Sequence, residues 1–256
     1  MPISSQDLDV LTHFLSFPLN SATKLLEQFR SLPGSVAPEA PPSELQQFVY
    51  VPGSRKDRVL LLAHADTVWD DNYIAFPDST IWQRLVSKKK SNGQLILCGE
   101  NPEFGIGADD RAGCAILWQL RDSGHSLLLL NGEECGQQGA CYLREAYPEL
   151  FAEINQHQFA LQFDRRNAID YKVYHLPVSQ AFHAYIQKNT GYLEPDRNAC
   201  TDICTICQNI CGANLSVGYY NEHRATEYLN VEEWQHTLEI TRKMLAKECP
   251  HFPMRK

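Results

Sequence analysis

His125-Ser126-Leu127-Leu128-Leu129-Leu130-Asn131-Gly132-Glu133-Glu134-Cys135-Gly136 (HSLLLLNGEECG, residues 125–136) decides the fold. Four consecutive leucines offer no polar face, so a strand built from them must be covered on both sides. The run then turns polar at once, with paired glutamates just beyond its carboxyl end. The same grammar recurs on either side. RVLLLAH (58–64) ends in His64-Ala65-Asp66, and FALQFD (159–164) ends in Asp164 followed by Arg165 and Arg166. Helical spacing fills the intervals, over 109–122, 136–146, 178–189, 201–210 and 231–247. QQFVYVP (46–52), QLILCG (94–99), YKVYHL (171–176) and ANLSVGYY (213–220) read as further strands. Buried strands alternating with helices predict an α/β fold, a three-layer α/β/α sandwich around a mixed, mainly parallel sheet.

The amino-terminal part fits beside such a sandwich. Leu8, Leu11, Phe14 and Leu15 recur at helical spacing. Leu25, Leu26 and Phe29 mark a second helix, with Asn20 or Ser21 available as its cap. Pro33, Pro38, Pro41 and Pro42 make 31–44 an extended connection, too short to separate two domains. A Lys88-Lys89-Lys90 run and a Ser91-Asn92-Gly93 turn occupy a polar stretch. A single α/β domain over 1–256 is expected, with 1–44 as its helical entry.

Composition narrows the class. The chain has 256 residues, 43% hydrophobic and 21% charged, which excludes a disordered or collagen-like chain. A net charge of −8 argues against a nucleic-acid or anionic-membrane partner. No apolar run approaches the roughly 18–20 residues of a membrane helix. MPISSQDLDV lacks a basic, apolar leader, and the nine cysteines are odd in number. A cytoplasmic protein with reduced thiols is expected. If 201–210 is helical, Cys200, Cys204, Cys207 and Cys211 fall on one face and spread over about 16 Å, too far to share one zinc, so packing is their expected role.

In open α/β sheets, ligands gather beyond the carboxyl ends of the strands. His64 and Asp66 share a face at one such end, where an imidazole can bind a metal while a carboxylate fixes its tautomer. Gly105-Ile106-Gly107-Ala108-Asp109-Asp110-Arg111-Ala112-Gly113 resembles a dinucleotide loop, but Asp110 stands where the third glycine belongs and would repel a pyrophosphate. Its Asp pair can cap a helix or ligate a metal. Glu133 and Glu134 point in different directions, so one can ligate while the other stays free as a base. Asp164 and His223 complete two imidazoles and three carboxylates at successive strand ends. That inventory suits two divalent metals of borderline preference, zinc first, with cobalt or manganese as alternatives.

The order His-x-Asp, Gly-x-Asp-Asp-x-x-Gly, Glu-Glu, Asp, His resembles that of the di-zinc exopeptidases. These include leucyl-type zinc aminopeptidases, peptidase-T-like tripeptidases and carboxypeptidase-G-like enzymes. The resemblance rests on HADTV, GIGADDRAG, NGEECG, QFDRR and NLSVGYYNEH. It implies that Asp109 bridges both metals, that His64 and Asp164 complete one site, and that Glu134 and His223 complete the other. It further implies that Asp66 holds His64, that Glu133 is general base for a water between the metals, and that the Asp109–Asp110 peptide is cis. Arg111 stands where many relatives carry Lys, and should keep a cation near the bridging carboxylate. Only the 58 residues 165–222 separate Asp164 from His223, which leaves no room there for the lid or dimerisation domain of some relatives.

The implied activity is hydrolysis of a peptide or amide bond, of the aminopeptidase type, on a small peptide or N-acyl amino acid. N-acyl amino acid deacylation and glutaminyl cyclisation need the same metal geometry. A non-catalytic metal-binding scaffold is the alternative of another class, against which the free glutamate beside Glu134 speaks. Arg165 and Arg166 are candidates for a substrate carboxylate, although salt bridging is their commoner use. Tyr219, Tyr220 and Asn221 are candidates for the pocket wall. Self-association could close an unlidded site, but no motif requires it.

Overall fold

The computed structural model describes residues 4–70, 80–90, 92–195 and 200–255. In chain order the elements are α1 (Ser5–Leu15), α2 (Thr23–Arg30), β1 (Phe48–Val51), β2 (Leu60–His64), β3 (Leu85–Lys89), β4 (Leu95–Gly99), α3 (Ala108–Leu120), β5 (Ser126–Leu130), α4 (Gln138–Ala146), α5 (Pro148–Ile154), β6 (Ala160–Arg165), β7 (Tyr171–Lys172), α6 (Gln180–Thr190), α7 (Asp202–Ile206), β8 (Gly212–Ser216), β9 (Tyr219–Tyr220), β10 (Tyr228–Asn230) and α8 (Val231–Leu245).

The leucine run forms β5, buried at every position. It pairs in parallel with β2, His64 lying opposite Leu130, and antiparallel with β1. β6 continues the sheet beyond β2, and β8 beyond β6, both parallel. β7 closes the edge antiparallel, giving the order β1-β5-β2-β6-β8-β7. The sheet is therefore mixed and mainly parallel, as expected. Helix α3 packs on β2 and β6 and touches α1 and α8, while α4, α5 and α7 pack together in the other layer. Truncating a fully buried leucine of this sheet should cost about 2–5 kcal/mol.

Polar contacts tie the outer helices down. Trp234 of α8 is fully buried, and its indole N–H donates to Ala112 O at 2.9 Å. Arg242 of α8 pairs with Asp7 of α1 at 3.0 Å. The buried Arg111 guanidinium donates to the carbonyls of Phe17 and Pro18. It anchors the start of α3 to the α1–α2 connection and is not turned towards Asp109. The proline-rich stretch is extended, with Val36 bridged to Tyr50.

Several expected elements are shorter or divided. The strand expected over 213–220 breaks at Gly218 (φ 85°), so β8 stays in the main sheet while β9 joins a second one. That antiparallel sheet, β3-β4-β10-β9, includes the lysine-rich β3, whose exposed side hides any apolar signal. The strand expected over 171–176 ends at Lys172, because Tyr174 takes a left-handed backbone (φ 56°). Ser91 of the expected turn lies outside the described residues; Gly93 has the positive φ of 85° such a turn uses. The helix expected over 201–210 is only α7, and Cys207 is already extended (ψ 106°). The four cysteines therefore do not share a helical face. Cys207 and Cys211 are buried, Cys204 is half-buried and Cys200 is exposed; all nine cysteines are free thiols. Among the described residues, no helix is long and apolar enough to cross a membrane.

Candidate metal centre and cleft

Parallel β5, β2, β6 and β8 deliver their carboxyl ends to one side of the sheet, and the candidate ligands meet there. His64 closes β2, Asp164 lies near the end of β6, Glu133 and Glu134 follow β5, and Asp109 opens α3. His223 comes from the loop between β9 and β10, on a left-handed backbone (φ 62°).

Asp109 is the shared member. Its Oδ1 lies 3.2 Å from His64 Nε2, and its Oδ2 lies 3.1 Å from His223 Nε2. His64 Nε2 also faces Asp164 Oδ1 at 3.6 Å, and His223 Nε2 faces Glu134 Oε1 at 3.0 Å. Two triads result, His64–Asp109–Asp164 and Asp109–Glu134–His223. Asp66, Glu133 and Asp110 surround them.

The tautomer of His64 follows from its neighbours. Its Nδ1 lies 3.1 Å from the Asp66 carbonyl and 3.4 Å from Asp66 Oδ1, and both oxygens can only accept. Nδ1 therefore carries the proton. In the neutral ring, the Nε2 lone pair then converges with the Asp109 and Asp164 oxygens. Converging lone pairs in a buried space require a cation: a proton, or a metal. On the other side, Glu134 Oε1 is buried and finds no partner besides His223 Nε2, 3.0 Å away. The donor set, two imidazole nitrogens and three carboxylates with one carboxylate shared, fits two divalent ions of the zinc type.

The charge state of the bare site says the same. Burial would push the His64 imidazole down, yet Asp109, Asp164 and Asp66 hold it well above its usual value. Hydrogen bonding to Asp109 and Glu134 raises His223 to about 11. Burial pushes Glu134 up to about 7 and Asp164 above its ordinary range. Burial also acts on Asp109, but His223 and His64 hold it below the usual carboxylate range. Without metals the two imidazoles take the role of the cations. Glu133, half-buried at the cavity wall, is raised well above its usual value by burial, with Asp164, Asp202 and Glu134 adding repulsion.

The supporting shell explains the local sequence. Asp66 accepts the backbone N–H of Glu133 at 3.2 Å and of Glu134 at 3.1 Å, one on each oxygen. It thus clamps the glutamate turn as well as facing His64. Asp110 Oδ2 accepts from His64 N at 3.2 Å and Oδ1 from Gly113 N at 3.0 Å. A Cβ on Gly113 would lie 2.3 Å from Phe163 O and 2.4 Å from Asp110 Oδ1, so only glycine fits. Gly107, at φ 61°, supplies the left-handed residue that starts α3. The Asp109–Asp110 peptide is cis.

Three supporting residues escape sequence reading. Glu227 is buried and accepts from the N–H groups of Ile106, Gly107 and Asp109 at 2.8, 2.8 and 3.1 Å, holding the loop that presents Asp109. Thr201 donates to Asp164 Oδ2 at 2.7 Å. Asp202 is fully buried beside the site, and burial pushes its carboxyl well above its usual value. Glu227 reads as one more acid in a polar loop, and Thr201 and Asp202 lie in a cysteine-rich stretch with no strand-end signal.

Asp109, Glu133, Glu134, Asp164 and His223 line an open cavity of about 450 Å³, and His64 lies buried beneath it. Arg165, Arg166, Tyr219, Tyr174, Gln137, Cys200 and Glu222 also line it. Arg165 is buried, with Nη2 3.6 Å from Asp170 Oδ2, and Arg166 pairs with Glu222. Tyr219 donates its hydroxyl to Asp164 Oδ1 at 3.1 Å, so it holds a candidate ligand as well as forming wall. Tyr220 and Asn221 line a neighbouring depression of about 330 Å³ instead. The hydroxyl of Tyr220 is spent on Glu233 at 2.8 Å.

The mixed, mainly parallel sheet with helices packed on it is a fold that this chain shares with solved aminopeptidase structures. Similar solved structures include an aminopeptidase, PepT, from Bacillus cereus, at 12% identity and TM-score 0.64, covering 94% of this chain and 97% of that one. A tripeptidase from Staphylococcus aureus has 13% identity and TM-score 0.64, covering 96% of this chain and all of the other. The TET1 peptidase of Pyrococcus horikoshii has 13% identity and TM-score 0.61, covering 94% and 99%. At this identity the likeness is one of fold. No family model and no curated protein matches the sequence.

Proposed function

We propose that this chain is a two-metal hydrolase of peptide or amide bonds, of the aminopeptidase type. The observation that carries the reading is Asp109, whose two oxygens each face a separate imidazole–carboxylate pair. His64 and Asp164 would hold one divalent ion, Glu134 and His223 the other, and Asp109 both. Zinc suits the set best, with cobalt or manganese able to replace it. Bound there, the ions supply Lewis acidity for the carbonyl and acidify a water. Glu133 takes that water's proton and returns it to the leaving amine. The aminopeptidase and tripeptidase names of the similar structures support the same class.

In this reading residues 1–256 act as one catalytic unit, and the free thiols speak for a reducing, cytoplasmic setting. The Pyrococcus horikoshii TET1 peptidase assembles into a tetrahedron or a large octahedral shell. Self-association of this chain is proposed by analogy with it.

A second reading has its own observation. Arg165 lies in the cavity wall, its Nε buried without a hydrogen-bond partner and its Nη2 3.6 Å from Asp170 Oδ2, a cation that would draw a substrate carboxylate. That favours substrates with a nearby free carboxylate, including N-acyl amino acids. Metal-reconstituted protein should be assayed on free dipeptides, N-blocked peptides and N-acyl amino acids side by side. Cleavage of free dipeptides supports the aminopeptidase. Cleavage of blocked substrates alone replaces it with a deacylase. No cleavage of any, with metals bound, leaves a scaffold.

A further inference from the structure

Outside the five-ligand centre, one more group of metal-competent side chains converges among the described residues. His175, in the turn after β7, faces Cys200 and Cys204, and one ligand atom from each lies within 4.8 Å of the others. We propose that these three residues form a separate zinc site of the Cys₂His type at the rim of the cavity, with a fourth position left to solvent.

The chemistry of the set supports a soft or borderline cation. Two thiolates and an imidazole select zinc or copper(I) over magnesium or calcium. Tetrahedral zinc places such ligand atoms about 3.5–3.8 Å apart, given Zn–S near 2.3 Å and Zn–N near 2.0 Å. The observed spacing closes to that by small rotations of the side chains, two of which are exposed. Short α7 makes the arrangement available. Cys200 precedes the helix and Cys204 lies within it, so the two sulfurs approach across one turn. Burial, with the Cys200 sulfur adding to it, pushes the Cys204 thiol up to about 12, so binding must expel its proton to solvent.

The site has a structural consequence. Cys200 lines the cavity, and the next residue, Thr201, donates to Asp164. An ion joining Cys200 to Cys204 and His175 fixes the segment that carries this donor. It is a staple on the cavity wall, built from the segment opposite the Glu133–Glu134 turn: Gln137, beyond that turn, reaches Cys200 Sγ at 3.5 Å.

Cadmium is the probe, because its bond to thiolate produces an ultraviolet charge-transfer band that oxygen and nitrogen ligands do not. The five-ligand centre contains no sulfur, so the band reports thiolate binding, and its loss in the variants below assigns it to this site. The 256-residue chain is titrated under a phosphine reductant, which removes a Cys200–Cys204 disulfide as a competitor. One cadmium–thiolate equivalent per chain is expected, lost in Cys204→Ser and in Cys200→Ser, and bound at least tenfold more weakly in His175→Ala. Cys200 is exposed, so its variant tests the site even if Cys204→Ser folds poorly. Elemental analysis of zinc-loaded protein should fall by one ion per chain in either serine variant. The fall is from three to two if the five-ligand centre holds two ions, and from one to none if it holds none. Failure of either proposal is thus visible without the other. A wild-type protein lacking the band, or serine variants that keep it, would overturn the site.

Discussion

Asp66→Asn separates two roles that one carboxylate could play. If Asp66 served only to hold His64, an amide would weaken the metal position built on His64 and Asp164. The structure assigns it more. Its two oxygens each accept one backbone N–H, from Glu133 and from Glu134, at 3.2 and 3.1 Å. An asparagine has one oxygen and one NH₂, so one of the two N–H groups must face another donor. Losing one hydrogen bond to a charged acceptor costs about 1.5–3 kcal/mol, or roughly 10- to 150-fold in an equilibrium constant. His64, meanwhile, keeps the Asp66 carbonyl at 3.1 Å as partner for Nδ1. The loss therefore falls on the position formed by Asp109, Glu134 and His223. Competition with a chromophoric chelator resolves the two affinities. One dissociation constant should rise by roughly 10- to 150-fold and the other by less than about tenfold. Equal weakening of both, or selective loss of the ion bound by His64, would refute the clamp. Single-site variants tell the positions apart: His223→Ala abolishes the sensitive one, His64→Ala the other.

Glu133→Ala should retain both ions by elemental analysis and lose hydrolysis by several orders of magnitude; unchanged turnover removes Glu133 as the base. Tyr219→Phe deletes a hydroxyl that donates to Asp164 Oδ1 at 3.1 Å. It should weaken the ion on the His64 side by about tenfold or more, since bonds to charged groups are worth about 1.5–3 kcal/mol, and leave the other unchanged in the same titration. His157 lies far from the site, and burial depresses it to about 4 from 6.5. The unfolded chain therefore binds the extra proton between pH 6.5 and 4, and stability present above that window is lost on descending through it. Urea unfolding at pH 7 and 4.5 should show a loss of stability smaller by about 3 kcal/mol in His157→Gln than in wild type, at about 1.4 kcal/mol per pH unit. Parallel slopes in the two proteins would contradict the assignment.

The parts legible in the sequence are those where chemistry breaks a strong pattern. Polar residues directly after continuous apolar strands can be located by that contrast, and His64, Glu133, Glu134 and Asp164 all arise that way. Asp109 is visible because glycines that the packing demands flank it. The supporting shell carries no such contrast. Glu227 is distinguished only by three N–H groups that arrive from residues 106–109, over a hundred positions away. Periodicity also misled where it was accidental. Cysteines at 200, 204, 207 and 211 match a helical face, but the helix ends at Ile206 because Cys207 turns extended. Strand β3 was hidden for the opposite reason: its lysines face solvent at the edge of the second, four-stranded sheet.

The central claim is that Asp109 lies between two metal ions. Crystals of the zinc-loaded protein, measured at the zinc absorption edge, test it most directly. The account requires two anomalous peaks near Asp109, about 3.5–4 Å apart in the manner of two-metal sites, one beside His64 and Asp164 and one beside Glu134 and His223. A single peak, or two peaks that leave one Asp109 oxygen uncoordinated, would contradict it.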